Sequence, residues 1–128
     1  MRVLLFSRIP KNHDDLLRAI RNLPMAEQLE IQTRCIMDYD ELRRDMVEAS
    51  YDMVIVAEPG AYGMEICIGV RKISNRVALV WFTDDAAFAA QSYRLNCTYF
   101  SELPVTQRTV ANAFCRMMEQ NPHRSWQN

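Results

Sequence analysis

Apolar positions along the chain fall into short unbroken runs separated by longer segments of helical period. Val3 to Phe6, Met53 to Ala57 and Val77 to Phe82 are apolar at every position, the pattern of parallel strands covered on both faces. Leu29, Ile31, Thr33 and Cys35 alternate with Glu30, Gln32 and Arg34, which predicts a strand with one wet face. Cys97 to Phe100 is short and mixed. The first three strands are therefore expected at the centre of a sheet and the last two at its edges.

Helical stripes lie between the runs. Leu16, Leu17, Ile20 and Leu23 mark a first helix, with Asn12 as a possible N-cap and Pro24 as its stop. Tyr39, Leu42 and Met46 mark a second, opened by Asp38, and Met64, Cys67, Ile68 and Val70 a third. Phe88, Ala89 and Tyr93 mark a fourth, opened by Asp84 or Asp85. Val110, Phe114, Met117 and Met118 line a fifth between Pro104 and Pro122.

Five β-α repeats with right-handed crossovers, combined with the inferred edges, select a doubly wound sheet in strand order 2-1-3-4-5. The expected fold is thus a flavodoxin-like α/β sandwich over residues 1–120, followed by a polar tail over 121–128 that is frayed or docked on a partner. Ligand chemistry in such a sheet belongs beyond the carboxyl ends of the strands. The loops to inspect are Ser7 to Pro10, Ala57 to Gly63, Thr83 to Asp85 and Ser101 to Pro104.

Composition narrows the function classes. The 128 residues carry 15 Lys plus Arg against 16 Asp plus Glu, a balance that gives no global attraction to nucleic acid or acidic membranes. The four cysteines have no spacing that would chelate a metal, and each lies among apolar residues, so they read as buried free thiols in a reducing, cytoplasmic setting. No segment approaches membrane-spanning length.

Three stretches taken in order carry a family resemblance. Arg2 to Phe6 followed by Pro10, then Tyr51 to Val56 with Pro59, Gly63 and Glu65, and then Phe82-Thr83 through Ser92 to Leu95 and Tyr99 to Pro104-Val105 resemble the receiver domain of bacterial response regulators. The last stretch is most similar to receivers that carry a LytTR-type DNA-binding output domain. The resemblance implies a phosphorylation switch. Acids after strand 1 hold Mg²⁺ and an aspartate ending strand 3 accepts a phosphoryl group, while a threonine after strand 4 and a lysine after strand 5 bind its oxygens. Phosphoryl transfer needs such groups because it is mostly positioning and neutralisation of charge.

Residue by residue, that chemistry is missing. The acidic pair falls on Ser7 and Arg8, the acceptor on Ala57, and the lysine on Glu102 or Leu103. Only Thr83 and the switch aromatic, Tyr99, match. The expectation is a degenerate receiver with Mg²⁺ binding lost, no cofactor and no catalytic residue. Glu58 either mimics an aspartyl phosphate beside Arg8 or is a solvated loop residue, and the second reading is favoured.

Other constellations read as ordinary structure. Asp84-Asp85 is expected to cap a helix, and His13, Asp14 and Asp15 to be solvated in a first helical turn. Gly60-x-x-Gly63 lacks a phosphate-loop lysine and reads as turn chemistry. Trp81 reads as core and Trp126 as part of the tail. Tyr93, Arg94, Tyr99, Arg108 and Arg116, near Glu102, form a possible protein interface on the fourth helix, fifth strand and fifth helix, which the family uses to dimerise. The alternative there is aromatics facing inward and charges facing water.

The leading expectation is therefore a phosphorylation-independent module that binds a protein partner or a second copy, with no direct nucleic-acid or membrane contact. Two alternatives stand beside it. One is a phosphoryl acceptor with a rearranged pocket, using Glu58 or Asp52 with Asp84 and Asp85; the other is a small-anion sensor built on Ser7, Arg8 and Thr83.

Overall fold

The computed structural model describes residues 1–121. The expectations for the tail beyond Asn121, Trp126 included, lie outside the described residues. Chain order is β1 (Arg2–Phe6), α1 (Pro10–Arg21), α2 (Ala26–Leu29), β2 (Gln32–Ile36), α3 (Tyr39–Glu48), β3 (Met53–Ala57), α4 (Gly60–Ile73), β4 (Ala78–Thr83), α5 (Ala89–Arg94), β5 (Tyr99–Glu102) and α6 (Gln107–Gln120). A 3₁₀ turn, Ala86–Phe88, precedes α5.

The five strands form one parallel sheet in the order β2-β1-β3-β4-β5. This is the flavodoxin-like arrangement that the apolar pattern predicts. Alternate strand residues feed two cores. Val3, Leu5, Ile55 and Val80 pack under α1 and α6, against Leu16, Ile20, Val110, Phe114 and Met117. Leu4, Phe6, Val54, Val56 and Trp81 pack on the other face against Leu42 of α3 and Ile66 and Val70 of α4. Both faces of the central strands are dry, which is why β3 and β4 are buried at every position.

The second edge differs from its sequence reading. Leu29 belongs to α2 rather than to a strand, Glu30 turns the chain at φ 48°, and β2 begins at Gln32. Four of its five residues are exposed and only Ile36 is buried, so the expected alternation is not realised. Cys35 and Cys115 are exposed, against the expectation of four core thiols, while Cys67 is buried and Cys97 half-buried. Burial pushes the Cys97 thiol up to about 12 and raises that of Cys67 well above its ordinary value.

Helix ends follow local chemistry. Asp38 caps α3, accepting the Glu41 N–H at 3.1 Å as expected. Thr106 and Thr109 cap α6 reciprocally. Pro10, not Asn12, opens α1, because proline at the first helical position forgoes only a donor that would be unpaired anyway. Asn12 is thereby carried inside the helix. Tyr93, expected on the packed stripe of α5, is 88% exposed, and Ser92 is the buried residue of that helix. Among the described residues no helix is long and apolar enough to cross a membrane.

Candidate functional site

The carboxyl ends of β1, β3 and β4 converge on Ser7, Arg8, Ala57, Glu58 and Thr83. Ser7 and Thr83 are fully buried, and Ala57 closes β3 with a methyl group. Glu58, the next residue, is only 1% exposed, which corrects the expectation of a solvated loop acid. Its backbone N–H donates to Phe82 O at 3.2 Å, so the strand path turns the side chain inward over the sheet edge.

Arg8 is the partner of the buried carboxylate. Its backbone N–H donates to Glu58 Oε1 at 2.8 Å, while its Nε and a terminal nitrogen donate to Oε2 at 3.1 and 2.9 Å. The guanidinium stacks 3.8 Å from the centre of the Tyr62 ring. Hydrogen bonding to Glu58 raises the Arg8 pKa above its ordinary value. A buried carboxylate is tolerated only when paired and hydrogen-bonded, and among the described residues the bonds on this one come from Arg8. The charge is closed on itself.

A second network ties the strand ends beneath the pair. Asn12 Nδ2 donates to Ser7 Oγ at 3.2 Å and to Ala57 O at 3.0 Å, and the Ile9 N–H donates to the same hydroxyl at 3.1 Å. His13 is 6% exposed rather than solvated, and its Nε2 donates to Ser7 O at 2.8 Å, since a carbonyl can only accept. That histidine therefore addresses the Ser7 backbone rather than its hydroxyl. His13 Nδ1 and Trp81 Nε1 are the buried side-chain nitrogens without a hydrogen-bond partner among the described residues.

The opposite wall is built by α4 and β4. Asp84 Oδ1 accepts from Gly60 N at 2.8 Å and from the Thr83 hydroxyl at 3.3 Å, and the first of these bonds holds the Asp84 carboxyl below its ordinary range. Gly60, at φ 70°, opens α4 with only Glu58 and Pro59 between it and β3, and so sits on a strand-to-helix junction rather than in a turn alone, but its N–H already serves a carboxylate. Asp85 caps the 3₁₀ turn by accepting from Ala87 N at 2.8 Å, as expected. Gly63 is required by close approach: a Cβ there would collide with the Glu58 carbonyl oxygen and stand 3.3 Å from Trp81 Nε1.

Other sequence-selected residues fall at the rim or elsewhere. Glu102 is exposed at the end of β5, and Leu103 donates its N–H to Thr83 O at 2.7 Å. Tyr99 is half-buried, edge-on to Phe82 at 6.3 Å, with its hydroxyl accepting from Asn112 at 3.4 Å. Tyr93, Arg94, Arg108 and Arg116 are exposed. Asp52 precedes β3, whereas Glu58 follows it. Five strand residues, about 17 Å, therefore separate Asp52 from the crevice, and it accepts from Arg2 N instead. No cluster of metal-ligating side chains occurs among the described residues.

A five-stranded 2-1-3-4-5 sheet with its crevice at Ser7, Ala57 and Thr83 is the flavodoxin-like α/β fold. Solved structures share it closely. The response regulatory domain of protein mrkE from Klebsiella pneumoniae superposes with a TM-score of 0.75 at 10% identity, covering 97% of this chain and 100% of that one. The REC domain of AraT, a response regulator from Geobacillus stearothermophilus, gives 0.75 at 13% identity, with 95% of each chain covered. HP1043, an orphan response regulator of H. pylori, gives 0.71 at 12% identity over 91% of this chain and 96% of that one. No family model matches the sequence, and no curated protein matches it.

Proposed function

We propose that the chain is a receiver-like signalling domain that acts by protein binding and needs no aspartyl phosphorylation. The observation that carries this reading is the buried Glu58 carboxylate held by Arg8 where receiver chemistry needs open acids and a divalent cation. Arg8 occupies the position of a metal-binding acid, and a fixed cation there opposes Mg²⁺. Glu58 stands one residue beyond the missing acceptor and supplies a permanent anion, the charge that a phosphoaspartate would bring.

The binding surface in this reading is the face of α5, β5 and α6. Tyr93 is 88% exposed there, close in sequence to the exposed Arg94, with Arg108 and Arg116 on α6. Aromatic and arginine residues are enriched at interfaces, and receiver domains dimerise through the corresponding face. The unpaired cysteines suit a reducing cytoplasm.

The test is direct. Beryllium fluoride with Mg²⁺ should leave the fluorescence of Trp81 unchanged, and acetyl phosphate should add no phosphoryl mass to the protein. A stoichiometric adduct on an acidic residue would overturn the proposal. Self-association through the proposed face should appear as concentration-dependent sedimentation that Tyr93→Asp abolishes and Glu58→Gln weakens.

A further inference from the structure

The far end of the molecule carries a second feature. A cleft of about 420 Å³ opens between the C-terminal ends of α4 and α5, lined by Arg71, Lys72, Asn75, Arg94, Leu95 and Asn96. No acidic residue lines it. Arg71, Lys72 and Arg94 have no carboxylate partner among the described residues.

Arg71 is fixed in the floor. Its guanidinium donates to Leu95 O at 2.7 Å, Val77 O at 2.7 Å, Asn96 O at 3.0 Å and Ser74 O at 3.2 Å. Four of its five N–H groups are thus spent on carbonyls while its charge stays uncompensated. Lys72 and Arg94, both exposed in the last turns of α4 and α5, add two further cations beside it.

We propose that this cleft binds an acidic peptide segment of a protein partner. Three positive charges drawn from two helices are spread along the cleft, which suits carboxylates distributed on an extended chain. Asn75 and Asn96 add amides suited to a peptide backbone, and Leu95 adds an apolar seat. The cleft shares Arg94 with the proposed α5–β5–α6 face but no residue with the Glu58–Arg8 pair, so its failure would leave the phosphorylation-independent reading standing.

A fluorescein-labelled Glu-Asp-Glu-Leu-Asp-Glu peptide, titrated into the full chain and followed by anisotropy, provides the test. Binding should weaken as salt rises from about 50 to about 300 mM. Lys72→Glu alone should weaken it, and Lys72→Glu with Arg94→Glu should weaken it about tenfold or more, while Arg21→Glu on α1 leaves it unchanged. Unchanged circular dichroism and melting temperature verify the fold, and Lys72→Gln with Arg94→Gln replaces any variant that fails to fold. Binding by the double variant within about twofold of the parent would overturn the proposal. So would displacement of the peptide by inorganic phosphate or a single-stranded oligonucleotide at a lower concentration than by unlabelled peptide.

Discussion

Gly63→Ala sets two effects of known size against each other. Alanine in a helix interior is worth about 1 kcal/mol over glycine, so on helix propensity alone the change stabilises. Against it, the new methyl would collide with the Glu58 carbonyl oxygen, 3.1 Å from its carbon and 3.3 Å from Trp81 Nε1. Overpacking costs about 1–3 kcal/mol, and the upper end applies when the obstacle is backbone. Here the carbonyl belongs to a residue anchored to β4 by the Glu58 N–H and followed by Pro59. The net loss is about 2 kcal/mol. With an unfolding entropy of roughly 2.1 cal/mol/K per residue, the 128-residue chain should melt about 7 °C lower. Thermal and urea unfolding followed by circular dichroism measure it. Two other glycines calibrate the result. Gly69→Ala meets first the half-buried Tyr39 side chain rather than backbone, and should cost less than Gly63→Ala. Gly60→Ala meets no atom but is held at φ 70°, and should cost about 1–2 kcal/mol. A Gly63→Ala protein as stable as the parent, or a larger loss at Gly69, would refute the close packing of α4 beneath Glu58.

Removing the partner of Glu58 should hurt more than removing the pair. Arg8→Met leaves a carboxylate that is 2% exposed with only a backbone N–H, so its urea midpoint should fall, and adding Glu58→Gln should restore most of the loss. Additive effects in the double-mutant cycle would show that the two side chains do not act as a unit. The thiols should divide as the structure divides them. Cys115 and Cys35 should react with a disulfide reagent in the native protein, Cys35 more slowly because burial raises its pKa, whereas Cys67 and Cys97 should react only on unfolding. Four equivalent native thiols would contradict the packing of α4 against the β5 approach.

The sheet was legible because burial on both faces leaves an unambiguous mark: β1, β3 and β4 are apolar at successive positions, and two weaker runs can only be edges. The edge itself was harder to read. Leu29 continues the alternation of Ile31 and Thr33 by coincidence, and only the left-handed turn at Glu30 separates helix from strand. At the site, the absence of a carboxylate at Ser7, Arg8 and Ala57 follows from residue identity alone. The burial of Glu58 does not, because it depends on Arg8 arriving from a strand 50 residues earlier. Asn12 and His13 were misread for the same reason. Polar residues in a first helical turn are ordinarily wet, and only the closing of β1 against β3 brings Ser7 and the Ala57 carbonyl over them.

The two cores on either side of the sheet are completed at different times during synthesis. Leu42, Ile66 and Val70, the helical half of one core, have all been made once α4 is finished at Ile73. The other core joins the first long helix to the last: α1 packs on α6, and the Gln107 side chain donates to Ala19 O at 2.9 Å across 88 residues. At about 5–20 residues per second, α6 ends roughly 2–9 seconds after α4. Throughout that interval Leu16 and Ile20 have no Phe114 or Met117 to cover them. Nascent chains arrested before α6 emerges should therefore bind a hydrophobic dye or a holdase chaperone on the α1 face and lose that affinity when α6 is added. The α1 face is where this domain depends on its cell while it is being made.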